Sequence, residues 1–170
     1  FEDTYFDFIF SQQVLEHVDE ENINNYFTEE NRVLKRGGMV YHQIPHLLVP
    51  YESHVKIWFV HWFPDYLRNF IFKFYKIDTQ YFSKNIFLRK PNFFINKFNS
   101  NFGSTINISK DRFLSDINLT YYDGNIYIRK ILQYLFKLPF LGKIFLYMLI
   151  KFTMLEIVSI KSINFENLSK

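Results

Sequence analysis

Cysteine and alanine are both absent from this 170-residue chain. Without a thiol there is no disulfide framework, no thiolate metal site and no cysteine nucleophile. The missing alanine, beside 22 Phe, 12 Tyr and many Asn, Ile and Lys, reads as a bias toward AT-rich codons more than as a functional signature. Glycine is sparse as well. The five glycines (Gly37, Gly38, Gly103, Gly124 and Gly142) form no G-x-G pattern, so the chain holds no Gly-rich phosphate or dinucleotide loop. Residues 1–30 contain no Lys or Arg but nine of the seventeen acids. All 20 basic residues therefore lie in 31–170, scattered among the other eight acids. Scattered lysines fit solubility better than a nucleic-acid interface, and nucleic acid is not an expected partner. The first residue is Phe and no basic–apolar–small leader follows. The sequence thus reads as cut from a longer one, with a cytoplasmic setting expected.

Long unbroken apolar runs are missing too. Residues 126–152 (IYIRKILQYLFKLPFLGKIFLYMLIKF) come nearest, but Lys137, Pro139, Gly142 and Lys143 interrupt them centrally. A spanning helix needs about 20 apolar residues with few charges. Two helices packed on a core, or lying at an interface, are expected instead. Lys130, Lys137, Lys143 and Lys151 could snorkel to a lipid surface, which leaves peripheral membrane contact open.

The most ordered pattern lies near the start. Tyr5 to Phe10 (YFDFIF) predicts a buried strand. Asp19 to Leu34 predicts a helix, with acids at its start and Arg32, Lys35 and Arg36 at its end, as the helix dipole favours. Gly37-Gly38 is expected as the left-handed cap and turn, and Met39 to Ile44 as the next strand, stopped by Pro45. Strand, helix and strand at this spacing predict a right-handed parallel crossover. Ligands in open parallel sheets lie beyond the carboxyl ends of the strands. Here that edge is Ser11-Gln12-Gln13 and Pro45-His46. Residues 47–68 read as a loop with short helices, 65–77 as a helix, and Met154 to Lys161 as a last strand before a polar tail. Residues 78–110 carry no clear period.

The block FDFIFSQQVLEHVDEENINNYFTEENRVLKRGGMVYHQIP closely resembles the second half of class I S-adenosylmethionine-dependent methyltransferases, of the type 11 kind. The resemblance is carried by Phe6, Asp7, Phe8 and Ile9 in the fourth family strand, by Val14-Leu15-Glu16-His17, by Arg32-Val33-Leu34-Lys35, and by Gly37-Gly38 before the fifth strand. It covers residues 1–46 well and extends loosely to 52–68, similar to an insertion in relatives that act on glycans, lipids or cell-envelope intermediates. The implied fold is α/β and Rossmann-like, C-terminal part only, comprising strands four, five and the closing strands with a helical, aromatic-rich insertion. One partial domain would fill 1–170: a core at 1–46, an insertion or substrate lid with helices at 47–152, and a closing strand and tail at 153–170.

The resemblance implies S-adenosylmethionine as cofactor, touched by Ser11, Gln12, Gln13, Glu16 and His17. The Gly-rich loop and first three strands of the family have no counterpart here, so the piece is expected to be inactive alone. Methyl transfer to a hydroxyl needs a base held in near-attack geometry. Histidine suits that role near neutral pH, and His46, on the ligand edge, is the expected catalytic group. His54, His61 and Trp62 are expected on the substrate, a small molecule or a glycan or lipid intermediate. No metal is expected, because His42, His46, Glu52, His54 and His61 match no metal-binding spacing. The alternative is a non-catalytic module, a degenerate methyltransferase half that binds a partner or membrane surface through its aromatic, Lys-rich insertion.

Overall fold

The computed structural model of the chain describes residues 1–116 and 126–162. β1 (Phe6–Gln12) passes through a 3₁₀ turn (Leu15–His17) to α1 (Ile23–Val33), and β2 (Leu34–Ile44) returns parallel to β1. The crossover is as expected, with corrections at its joints. α1 starts at Ile23 because the Asp19 carboxylate accepts the Asn22 backbone N–H at 2.8 Å, holding residues 19–22 in a turn. The glycine pair does not cap the helix. α1 ends where Leu34 becomes extended and pairs with Phe6, and β2 then bulges before Met39 pairs with Phe8. In that bulge Gly37 has φ of +73°, and a Cβ on Gly38 would stand 2.8 Å from the Lys35 carbonyl oxygen.

A hairpin, β3 (Tyr51–Glu52) with β4 (Ile57–Trp58), follows β2 and leads to a second 3₁₀ turn (Val60–Trp62), α2 (Asp65–Phe74) and α3 (Thr79–Asn85). After them come α4 (Pro91–Phe102), β5 (Gly103–Asn107) and α5 (Ser109–Ser115). The apolar stretch forms α6 (Ile126–Phe136) and α7 (Leu141–Ile150), broken near Pro139 as expected, and β6 (Leu155–Lys161) closes the order. The polar tail expected at the end falls in 163–170, outside the described residues. No helix among the described residues is long and apolar enough to cross a membrane.

The main sheet has the order β1-β2-β6-β5, with β6 antiparallel to both of its neighbours. β1 is therefore an edge among the described residues. The strand expected to be buried instead exposes Phe8 (49%) and Phe10 (58%). Alternation explains the split: Ile9 and Ser11 point toward α1, whereas Phe8 and Phe10 point to the other face, where Phe10 stacks on Tyr41 at 5.4 Å.

The core lies on the α1 side. Ile23 and Phe27 of α1, Leu34, Val40 and Ile44 of β2, and Leu155 and Ile157 of β6 are all buried there. Phe94, Phe98 and Phe102 complete it from α4; their spacing of four residues makes one buried stripe. Residues 91–107 therefore belong to the central sheet and its packed helix, not to the lid expected over 47–152. Val60, Phe72, Phe82 and Ile86 form a separate, smaller core beneath residues 47–90.

Phe98 sits at the centre of the main core, its ring 5.0 Å from Phe27 and 4.8 Å from His42. Phe98→Ala should lower unfolding free energy by about 3–5 kcal/mol in urea denaturation, because the cavity cannot collapse between two aromatic walls.

Candidate functional site

At the carboxyl edge of the parallel pair, Gln12 lies opposite Gln43, and Gln13 turns the chain with φ of +53° while its backbone N–H donates to the Gln43 carbonyl at 2.9 Å. The reversal feeds the Leu15–His17 turn. Leu15 is buried as its anchor, and Glu16 is drawn wholly inside with it.

Segment 85–89 latches this turn in place. Phe87 N–H donates to the Glu16 carbonyl at 2.6 Å, and His17 Nδ1 lies 2.8 Å from the Asn85 carbonyl oxygen. The buried Arg89 guanidinium donates to the Leu15 carbonyl at 3.3 Å, to the Val18 carbonyl at 2.8 Å and to the Glu20 carboxylate at 2.9 Å. Its plane also lies 5.2 Å from the Phe93 ring. Arg89 was not identifiable as a site residue from its own neighbourhood, FLRKPN, which carries no motif.

The hairpin brings its polar groups to the same place. Glu52 is buried and accepts both the His54 backbone N–H (3.0 Å) and His54 Nδ1 (2.6 Å). His54 Nε2 then stands 3.2 Å from His17 Nε2. The Glu16 carboxylate reaches to 4.0 Å from His17 Nε2, and both its oxygens are buried without a hydrogen-bond partner. Burial raises its pKa above the ordinary carboxyl value.

The residues expected at the site are divided by this arrangement. Glu16, His17 and His54 come together. Ser11 is buried beside the Tyr26 hydroxyl, Gln12 is exposed, and the Gln13 side chain reaches Met154 Sδ at 3.8 Å. His61 and Trp62 line a cleft of about 450 Å³ with Leu47, Leu48 and Phe152, and the indole Nε1 donates to the Leu47 carbonyl at 2.7 Å. Burial lowers the pKa of His61.

His46 does not suit the catalytic role expected of it. Its Nε2 donates to the Thr153 carbonyl at 2.8 Å and its Nδ1 accepts the Leu48 N–H at 3.2 Å, which leaves no lone pair for a substrate proton. His42 is equally committed: it faces α1 from the middle of β2, its Nε2 2.8 Å from the buried Glu30 carboxylate.

Residues 1–42 match a family model described as a methyltransferase domain, and the matched part holds the strand, strand-end turn and crossover helix described above. No curated protein matches the chain. Solved structures similar to it include phosphoethanolamine N-methyltransferase 2 of Haemonchus contortus, in complex with phosphomonomethylethanolamine and S-adenosylhomocysteine. That likeness has 14% identity and a TM-score of 0.44, over 96% of this chain and 35% of that one. A second structure of the same enzyme, with S-adenosyl-L-methionine, gives the same values. A Galdieria sulphuraria protein described as a sarcosine dimethylglycine methyltransferase has 13% identity and a TM-score of 0.32, over 94% and 53% of the two chains. The chain thus spans between about a third and about half of the length of these structures.

Two predictions follow from the latch and from His46. Arg89→Met should cost about 1–3 kcal/mol in chemical denaturation, since it strands the Val18 carbonyl and leaves the Leu15 carbonyl only the 3.4 Å bond from the Val18 N–H. Burial holds His46 at about 4, well below its ordinary 6.5, despite the Thr153 hydrogen bond. The unfolded chain therefore takes up this proton first as pH falls. Stability from His46 is complete above pH 6.5 and is lost progressively as pH drops toward 4. Ring NMR resonances of His46 should stay neutral at pH 5.5; a midpoint near the ordinary value would refute the buried geometry.

Proposed function

We propose that this chain serves S-adenosylmethionine-dependent methyl transfer to a small-molecule acceptor, with the Ser11–His17 turn as one wall of the cofactor pocket. The observation that carries this reading is the family match over residues 1–42, whose strands deliver that turn to the carboxyl edge of the parallel pair. The turn is rigid: Arg89, Phe87 and Asn85 hold its backbone and the His17 ring.

The residues present fit part of the cofactor and not all of it. No G-x-G loop occurs in the sequence, and Glu16 turns its carboxylate inward beside His17 instead of toward the open strand edge. A complete site needs a second wall, which the described residues do not supply. The described residues therefore define no proton path or methyl-transfer step by themselves.

On the acceptor side, residues 47–90 are the part left to act as a cover. The cleft beside Trp62 and His61, with Phe59 packed on the indole at 5.0 Å, offers an aromatic wall suited to a sugar ring or lipid head group.

Calorimetry with S-adenosylhomocysteine tests the reading. The 170-residue chain should bind weakly or not at all. A product extended upstream of Phe1 by a strand, a Gly-rich loop and an acidic residue about 20 positions on should bind well. An upstream reading frame with no such elements, together with no binding, would leave the non-catalytic interaction module instead.

A further inference from the structure

We propose that Glu16, His17 and His54 form a binding site for a divalent transition-metal ion of the zinc type, which pins the 51–58 hairpin to the strand-end turn. The proposal does not rest on the methyl-transfer reading.

Hydrogen bonding fixes the state of both rings. The Asn85 carbonyl can only accept, so His17 must carry its proton on Nδ1. His54 Nδ1 faces the Glu52 carboxylate oxygen at 2.6 Å and must carry its proton there as well. When neutral, each imidazole then presents a bare lone pair on Nε2, and the two Nε2 atoms stand 3.2 Å apart. Two lone pairs aimed at one another repel unless a positive centre joins them.

Glu16 supplies the third ligand and the second line of argument. Its side chain is fully buried, and neither oxygen has a hydrogen-bond partner. An unpaired carboxylate inside a protein is costly unless it is protonated or meets a cation. One ligand atom from each of Glu16, His17 and His54 lies within 4.8 Å of the others. A proton shared by the rings would relieve the nitrogen pair and leave Glu16 without a partner of its own. A metal ion satisfies all three groups.

The distances suit this. Bonds of about 2.0–2.1 Å in tetrahedral geometry put neighbouring imidazole nitrogens about 3.3 Å apart, close to the 3.2 Å observed. The Glu16 oxygen, 4.0 Å from His17 Nε2 and within 4.8 Å of the His54 ring nitrogen, has to close by about 1–1.5 Å, a side-chain rotation. Two imidazoles and one carboxylate favour zinc-type ions over calcium or magnesium, which prefer all-oxygen shells. Both rings already have the outer partners usual for metal-bound histidine, a carboxylate on His54 and a carbonyl on His17. The His17 side chain is 39% exposed, so solvent can reach the remaining position.

Sequence pattern does not reveal the site. Glu16 and His17 are adjacent in a 3₁₀ turn, His54 is 37 residues away in a hairpin, and no short motif joins them.

The test is a titration of the chelator-stripped chain with Zn²⁺ by calorimetry, and with Co²⁺ by visible absorption. One ion per chain should bind, with tetrahedral Co²⁺ bands and a raised melting temperature. His54→Ala and Glu16→Gln should each weaken Zn²⁺ binding by ~100-fold or more, whereas Glu21→Gln, at an exposed carboxylate, should leave it unchanged. If a variant fails to fold, ¹⁵N shifts of the His17 and His54 Nε2 atoms in the unsubstituted chain decide, since coordination moves both. Absence of Co²⁺ bands and of thermal stabilisation overturns the proposal. So does Zn²⁺ binding that survives in folded His54→Ala.

Discussion

The strand-end turn depends on one buried cation. Arg89 is 8% exposed, and its guanidinium spans the Leu15 carbonyl, the Val18 carbonyl and Glu20, while its own carbonyl accepts the Leu47 N–H at 2.9 Å. It thus joins the exit of β1, the approach to α1 and the exit of β2. A planar fork with several donors can serve acceptors on two sides at once, which a lysine in its place could not. The short 3₁₀ turn has few internal hydrogen bonds to keep its shape, so its geometry is set from outside. Desolvating a guanidinium is expensive, and the cost is offset because each of its three nitrogens finds an oxygen and aromatic rings lie against the plane.

The same economy governs the other buried polar groups. His42 and Glu30 face each other inside the main core, and Tyr26 approaches the Glu30 carboxylate from α1. Burial and that carboxylate together drive the Tyr26 hydroxyl well above its ordinary pKa, so it stays protonated and donates. On the opposite face of the sheet, Tyr41 donates to Glu156 at 2.7 Å. Its pKa is pushed up to about 12 by burial and then by that contact. These pairs lie on strands whose apolar neighbours fix the register. They tie α1 to the next element, β2, and β2 to β6, which is distant in sequence.

What could be read from the residues was what local chemistry decides. The parallel crossover followed from an apolar run, an acid-to-base gradient along a helix and a stop at Pro45. The break in the apolar stretch followed from Pro139, and the closing strand from MLEIVSIK. The helix of Pro91–Phe102 was obscured because its Phe stripe is diluted by Asn, Ser and Lys, although Pro91 at its first turn and Phe at every fourth place were present. β5 was invisible for another reason. GSTIN is short and mostly exposed, and it becomes a strand only because β6 offers an edge to it. The misreading of Gly37-Gly38 came from the same source: a glycine pair after a helix resembles a cap, and only pairing with β1 makes it a bulge. Of the site, the Leu-Glu-His turn was legible through its family pattern. Its meeting with His54 was not, because that meeting depends on Asn85 and Glu52, which orient the rings from segments with no pattern of their own.

The seam between the two cores is where function can be controlled. The main core is broad and rigid, with aromatic rings interleaved between α1 and α4. The satellite core beneath residues 47–90 rests on Val60, Phe72, Phe82 and Ile86, too little apolar area to orient a cover by itself. Its position is instead specified by polar anchors. Arg89 and Phe87 reach the turn, and the hairpin reaches it through His54 and His17. Polar anchors are directional and reversible, whereas buried rings are neither. Any ion, proton or ligand that alters the His17–His54 contact therefore acts on the orientation of the cover without disturbing the sheet. The aromatic cleft beside Trp62 lies on the cover side of that seam, closed by Phe152, and the strand-end turn lies on the sheet side.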